Sequence, residues 1–321
     1  MPMSDLGLPL PNIRANSAAR RFAAFNTRAV PILTVLMVIV GLWYAGTVRM
    51  NMPWTLDQAA RSDIELTQLE AVADTLNQVR PVLPSPHQVV AELYNTTLGE
   101  PLTRERRGEL RGNPRSLFFH AYQTLAPTLL GFLFGGVAGV ALAVGIVHNR
   151  TMDMSVMPWA IASQTIPILA IAPMIIVMLN AVGVQGVLPK SLISAYLSFF
   201  PVVVGMVKGL RSPKLMDLDL LKTYAASDLE TLLKLRFPAS LPYLFTSLKI
   251  AIAAALVGAI VAELPTGARF GLGARLLTGS YYGQTIQIWS ALFMAAIAAA
   301  ALVGAVGLVE RITLRRMGMA Q

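Results

Sequence analysis

The sequence contains no cysteine. That removes disulfides, thiolate metal sites and cysteine nucleophiles. Charge is scarce: only 13% of the 321 residues are Asp, Glu, Lys or Arg, against roughly 25% in soluble domains. His87, His120 and His148 are the only histidines and lie far apart. No H-E-x-x-H or similar ligand spacing occurs, so no metal site is expected. The phosphate-binding pattern G-x-x-x-x-G-K-[ST] is missing, so this chain is not expected to bind ATP itself. G-x-S-x-G is missing too, which removes the usual nucleophile elbow. Ionisable residues avoid the middles of the long apolar runs. Lys190, Lys208, Lys249, Glu263 and Glu310 all fall near run ends, where they read as snorkelling or interface anchors. Glu263 stands apart because it closes a long apolar run. A proton-coupled carrier generally needs an acid or histidine within the membrane, so the scarcity argues against a secondary transporter.

What the chain does have is apolar length. It is 55% hydrophobic with a mean hydropathy of +0.59, and about 20 apolar residues cross a bilayer as a helix. Six runs qualify, at about 29–48, 124–147, 156–182, 187–207, 243–263 and 286–309. The third contains Pro167 and Pro173, and the fourth contains Pro201. The first follows Arg14, Arg20, Arg21 and Arg28. It is too long for a signal-peptide core and no cleavage pattern follows, so it reads as a retained span. The fold class is therefore all-α, a polytopic membrane protein of about six transmembrane helices.

The net charge of +9 is distributed for orientation. Basic residues gather in the N-terminal arm, at His148 and Arg150, between 208 and 236, and at Arg311, Arg315 and Arg316. Six spans put all four groups on one side, the positive-inside pattern, with both termini cytoplasmic. Arg104, Arg106, Arg107 and Arg111 fall in the long first outer loop, which translocates largely regardless of charge; Glu100, Glu105 and Glu109 offset them. No basic stripe with interleaved aromatics exists, so nucleic-acid binding is not expected. In the same loop, PVLPSPHQVVAELY (81–94) reads as an extended stretch leading into a short helix capped by Ser85 and Pro86.

Small residues recur at four-residue spacing. Gly131, Gly135 and Gly139 form one stripe, and Ala291, Ala295 and Ala299 another. Such stripes allow close helix approach, either within the chain or between subunits. Ser163, Gln164, Thr165, Asn180, Ser194, Tyr196 and Ser198 place neutral polarity in the third and fourth spans. They either bond neighbouring helices or line a pathway; Pro167 breaks the helix and frees carbonyls toward a cavity. Trp43, Tyr44, Trp159, Tyr281, Tyr282 and Trp289 read as interfacial belt residues.

One polar island interrupts the apolar chain: LKTYAASDLETLLKLRFPASLP, residues 221–242. Ser212 and Pro213 suggest a cap and first turn for a helix over 213–225. Ser227 and Glu230 form a capping box that starts a second helix, with Leu229, Leu232, Leu233 and Phe237 near one face. Pro238 is expected to end it and Pro242 to set re-entry into the bilayer. By physics alone the island could lie on lipid, serve as a packed connector, or dock a cytoplasmic partner by helix-in-groove contacts.

This island resembles the cytoplasmic EAA loop of bacterial ABC-transporter permeases. That loop has a Glu-Ala-Ala start, a Gly six residues after the Glu, and a later Leu-Pro region. Here the Glu position is Asp219, followed by Leu220 and Leu221; the Gly position is Ala225; the late prolines are Pro238 and Pro242. TLAPTLLGFLFGGVAGVALAVGI (124–146) is similar to the span that opens the permease core. LKIAIAAALVGAIVAEL (248–264) followed by FGLGARL (270–276), with Glu263 before Gly271 to Gly273, is similar to the nitrate/sulfonate/taurine branch. The resemblance covers residues 81–316.

The resemblance implies a type I importer permease in the bacterial inner membrane. Its implied parts are a cytoplasmic arm (1–28), a first transmembrane helix (29–48), a periplasmic loop with short helices (49–123), a five-helix core (124–312) with a coupling loop (208–242), and a tail (313–321). It implies partners: two ATPase subunits that hold the ATP, a periplasmic solute-binding protein, a second permease copy, and membrane lipid. It implies a transport subunit rather than an enzyme. Coupling is expected at Asp219, Lys222, Thr223, Tyr224, Ala225, Ala226, Ser227, Asp228, Leu229 and Glu230, and a pathway at Gln164, Thr165, Asn180, Tyr196 and Glu263. A permease for another substrate class, an exporter, a non-ABC transporter, a membrane enzyme and a structural scaffold remain as rivals. The branch handles nitrate, sulfonates, taurine and thiamine pyrimidine precursors, and specificity resides mostly in the binding protein.

Overall fold

The computed structural model describes residues 17–99 and 116–318, with side chains for 29–99 and 116–318. Arg14 and the charged residues between 100 and 111 lie outside the described residues. Among the described residues every regular element is a helix. The chain divides into two units, Met1–Gln88 and Val89–Gln321.

In the first unit, α1 spans Ser17–Arg61 and α2 spans Gln68–Leu76. The helix expected over 29–48 therefore does not stop there. No glycine–proline break follows residue 48, and Pro53 forfeits only one backbone bond, so helical MNMPWTLDQAAR continues to an Asp57–Arg61 ion pair of 2.8 Å. Thr67 and Glu70 close a capping box on α2. The buried Asn51 side chain substitutes for a strand partner: Oδ1 accepts from the Val82 N–H at 2.8 Å, and Nδ2 donates to Leu83 O at 2.8 Å. Trp43 Nε1 donates to Pro84 O at 2.9 Å. The extended stretch is thus pinned to α1 by side-chain bonds from Trp43, Thr47 and Asn51.

Helix α3 (Pro86–Tyr94) begins at the expected proline. The Ser85 hydroxyl is not its cap, however. It donates to Leu76 O at 2.8 Å, while Gln88 Oε1 accepts the Ser85 N–H at 3.2 Å.

The second unit is built around α4 (Leu117–His148), α7 (Val187–Leu210) and α10 (Phe237–Glu263). Between α4 and α7 lie α5 (Arg150–Ser163) and α6 (Ile168–Ala181). Helices α8 (Leu215–Thr223) and α9 (Asp228–Thr231) form the island, and α11 (Leu272–Tyr281) and α12 (Thr285–Arg316) close the chain. Among the described residues, five helices are long and apolar enough to cross a membrane, or six if the α5–α6 pair counts as one span.

That pair is the third run, broken where Pro167 was expected to break it. It is not one helix over 156–182: α5 and α6 meet at 99°. Pro167 cannot donate, and its own carbonyl starts α6 by accepting from Ala170 at 2.9 Å. The freed Ser163 carbonyl is taken by the Tyr196 hydroxyl of α7. Pro173 stays inside α6.

Helix α7 is clamped on two sides by small residues. A Cβ on Gly131 or Gly135 of α4 would overlap Ser194 or Ser198, and one on Gly139 would lie 2.9 Å from Phe199 O. On the other side, Gly205 and Gly209 face Ser247 and Ser240 of α10, and Gly258 faces the Ser194 backbone. Ser194 Oγ donates to Ala255 O at 2.6 Å, and Ser198 Oγ to Gly131 O at 3.3 Å. The glycine stripe is therefore used within the chain. So is part of the alanine stripe: Ala291 and Ala295 are buried with Leu117, Ala121 and Leu272. Lys249 of α10 and Glu310 of α12, read as separate anchors, pair with each other.

Because its Cβ would also lie 2.8 Å from Ala195 O, Gly135→Val is expected to destabilise the fold by about 1–3 kcal/mol or more through overpacking. Gly41 has open space around it, so Gly41→Ala is expected to be neutral or slightly stabilising. Unfolding of purified protein by added SDS in mixed micelles checks both.

Candidate functional site

The island sits between the end of α7 and the start of α10, and local chemistry shapes it. Ser212 does not start the first helix. Its N–H bonds Gly209 O at 3.0 Å and so belongs to the end of α7; α8 begins at Leu215 without a side-chain cap. Helix α8 ends in a left-handed residue, Ala225, at φ +53°. The Ala225 N–H bonds Lys222 O at 2.9 Å, and the Ala226 N–H bonds Leu221 O at 3.0 Å. That pair of bonds is a Schellman closure, normally built on glycine. The position matched to the family's glycine is therefore a position where glycine's conformation is used.

Ser227 then starts α9 with the expected capping box. The Glu230 N–H donates to Ser227 Oγ at 3.3 Å, and Glu230 Oε2 accepts the Ser227 N–H at 3.0 Å. Glu230 lies outside the apolar spanning part of its helix. The Ser227 N–H, and after it Lys234, hold its carboxyl down from 4.5 to about 2. The cap is thus fully charged at neutral pH and is lost only as pH falls from the ordinary carboxylate range toward 2.

Pro238 does not end this helix. Residues Leu232–Arg236 form a π-helical turn in which the Phe237 N–H reaches back to Leu232 O. The wider turn makes room for the proline ring, and Pro238 falls in the first turn of α10, where its missing N–H costs little. The expected apolar stripe also divides. Leu232 packs against the buried cluster that contains Ala143, Ile146 and Val207, whereas Leu229 and Leu233 are exposed. With Leu215, Met216, Leu220 and Tyr224 they leave an apolar surface on the island, unsatisfied within the chain. Asp219–Lys222 at 3.2 Å and Glu230–Lys234 at 3.0 Å are exposed pairs and contribute little. The base is held more firmly: Arg236 Nη1 donates to Leu210 O at 3.2 Å, and Arg211 pairs with Asp153 of α5 at 2.9 Å.

The expected pathway residues fall in three places. Gln164 and Thr165 are exposed at the α5–α6 break, where Thr165 Oγ1 donates to Ala162 O at 2.7 Å. Tyr196 reaches the same break through Ser163. Asn180 lines a cavity of about 300 Å³ with Gln185, Lys190 and Thr266. Glu263 is fully buried elsewhere: Thr124 Oγ1 donates to Oε1 at 2.9 Å and the Gly273 N–H to Oε2 at 2.7 Å. The Leu272 N–H donates to Thr124 Oγ1 at 2.9 Å, and His120 Nδ1 accepts from the Gly271 N–H at 3.1 Å. Gly271 has φ +138°, and a Cβ there would run into the Glu263 carboxylate. Lys190, Gln185 and Thr266 were not singled out as pathway residues from sequence; the usable signal was a lysine just after the short turn between two apolar runs. Thr124 and His120 had no such signal.

A family model described as the inner membrane component of binding-protein-dependent transport systems matches residues 131–318. A probable ABC transporter permease protein of Haemophilus influenzae is 32% identical over 59% of this chain and 75% of its own length. A formylaminopyrimidine transport permease protein of Halalkalibacterium halodurans is 31% identical over 60% of this chain and 68% of its own. A riboflavin transport system permease protein of Chloroflexus aurantiacus is 26% identical over 95% of this chain and 97% of its own. Permease proteins for aliphatic sulfonates and for nitrate are also similar.

Removing the left-handed cost at residue 225 is expected to tighten the island. Ala225→Gly should stabilise the turn by up to about 1 kcal/mol, while Ser227→Ala should loosen α9 by about 1 kcal/mol. Hydrogen exchange of peptides covering 221–231 reads these as roughly fivefold slower and faster exchange.

Proposed function

The chain belongs to the family of inner membrane components of binding-protein-dependent transport systems, and we propose that it forms the translocation pathway of an ABC importer and couples to ATPase subunits through its island. It is an ABC permease with relatives of the nitrate and sulfonate types. In our reading two copies pair, both termini face the cytoplasm, and an extracytoplasmic binding protein delivers the solute. ATP is held by a separate ATPase chain. The solute in this reading is nitrate, a sulfonate, taurine or a thiamine-precursor-like molecule; the relatives' names cover formylaminopyrimidine, riboflavin, aliphatic sulfonates, nitrate and bicarbonate.

The observation that carries the coupling reading is the shape of residues 215–236. Two short helices are joined by a hydrogen-bonded turn, capped at Ser227, and present Leu220, Tyr224, Leu229 and Leu233 outward. An interfacial helix resting on lipid has no need of a closed Schellman turn. A partner that must be pushed or pulled does, because a capped unit moves as a rigid body. The coupling residues from Asp219 to Glu230 all lie on this unit. The exposed apolar side chains suit a groove in the partner.

A mild-detergent pull-down of the tagged chain from its own membranes, with partners identified by mass spectrometry, tests this. A Walker-A ATPase is expected to co-purify and to be lost when Ala225–Glu230 is deleted or charge-reversed, with uptake abolished and the chain still inserted. Uptake that survives the change, or an absent ATPase under conditions that hold other transporters together, overturns the coupling role.

A further inference from the structure

The cavity at the ends of α6 and α7 is not explained by packing. It is lined by Asn180 from α6, by Gln185 and Lys190 around the α6–α7 turn, and by Thr266 after α10, over a floor of Ile176 and Pro189. Lys190 is the single charged residue among the lining residues, and no carboxylate lines the space. Among the described residues, no hydrogen bond or ion pair engages the side chains of Asn180, Gln185 or Lys190, and none of the three makes a contact beyond these. The charge of Lys190 interacts with Glu263. Glu263 does not pair with the ammonium: no contact within 4 Å joins them, and its two oxygens are taken by Thr124 and Gly273. The ammonium donors therefore remain available to something that enters the cavity.

We propose that this cavity is an anion-binding subsite in which Lys190 supplies the charge and Asn180 and Gln185 supply the amide donors, the Thr266 hydroxyl being already committed to Glu263 O at 3.0 Å. The inference rests on the transport reading for its sidedness. With both termini cytoplasmic, the turn at 183–186 and the loop after Glu263 face the outside, so an anion arriving from a binding protein meets this cavity first. An ammonium on a flexible stem suits a small oxyanion, which it binds as a point charge while the amides set orientation. This selects among the solutes of the relatives: it favours an oxyanion such as nitrate or a sulfonate over a neutral pyrimidine or flavin. The same chemistry is offered by the phosphate of an acidic lipid headgroup, so the test separates the two sources.

The full chain, purified in detergent and then in phosphatidylcholine nanodiscs, is titrated with nitrate, methanesulfonate or bicarbonate at constant ionic strength, with sodium gluconate as filler and dimethyl sulfone as the neutral counterpart. Thermal unfolding followed by tryptophan fluorescence is the readout. At least one small oxyanion is expected to raise the melting temperature saturably, dimethyl sulfone is not, and Lys190→Gln should weaken the apparent affinity about tenfold or more while Lys190→Arg largely retains it. If phosphatidylglycerol nanodiscs stabilise the wild type without added anion, and Lys190→Gln abolishes that, the site stands and its occupant is lipid. The proposal is overturned if no oxyanion or acidic lipid gives a saturable shift, or if Lys190→Gln responds like the wild type. ATPase capture in the pull-down does not depend on Lys190, so either reading can fail without the other.

Discussion

The close approach of α7 to α4 and α10 is the constraint on which the second unit depends. In hydrocarbon there is no hydrophobic drive to bring helices together, because lipid tails are as apolar as leucine. Association rests on van der Waals contact and on hydrogen bonds across the interface. Both need small residues. Gly131, Gly135 and Gly139 let α4 reach the Ser191–Phe199 face of α7, while Gly205, Gly209 and Gly258 do the same between α7 and α10. The serines use that closeness, since Ser194 and Ser198 donate to carbonyls of α10 and α4. A larger residue at any of these points separates the backbones and breaks those bonds together.

This clamping places the two sites at opposite ends of one rod. Helix α7 begins at Val187, beside the Lys190 cavity, and ends at Leu210, whose carbonyl receives Arg236 from the island. Helix α10 likewise runs from the π-helical turn of the island to Glu263. At its C-terminal end Glu263 is the fastening point. Its carboxylate ties α10 to Thr124 of α4 and to the Gly273 amide that opens α11, and the glycines at 271 and 273 leave room for it. A buried carboxyl left without such donors is costly. Each oxygen here has one, and the network is closed by Leu272 and His120. Displacement at the island therefore has two continuous helices along which to travel.

Much of this was legible locally. The apolar runs located the long helices, and the Ser227–Glu230 capping box and the proline start at Pro86 are where the residue pattern placed them. The left-handed turn at Ala225 was not legible: nothing in an alanine announces it, and the match to a family glycine marked the position without its geometry. Proline does different things in different company: the break at Pro167 was expected, whereas Pro238 was expected to end its helix and does not. Pro167 produced a sharp break because Ser163 O found a new donor in Tyr196, thirty-three residues away. Pro238 produced no break because a π-helical turn absorbed it. Pro53 left α1 intact. The Glu263 network was illegible because Thr124 and Glu263 are 139 residues apart, and no local pattern encodes that pairing.

The island's rigidity has a further consequence for what a partner can sense. Its exposed ion pairs, Asp219–Lys222 and Glu230–Lys234, are screened by salt and hold little energy. Its shape comes instead from backbone hydrogen bonds at Ala225 and Ala226, from the cap at Ser227, and from Arg236 at the base. Those are short-range and largely indifferent to ionic strength. The outward side chains of Leu220, Tyr224, Leu229 and Leu233 are apolar, so the contact they offer is burial rather than charge. On the proposed coupling role, a partner on this surface would be held by fit and desolvation, with the flanking lysines affecting encounter more than affinity. That division suits a joint that must stay attached while its partner changes conformation.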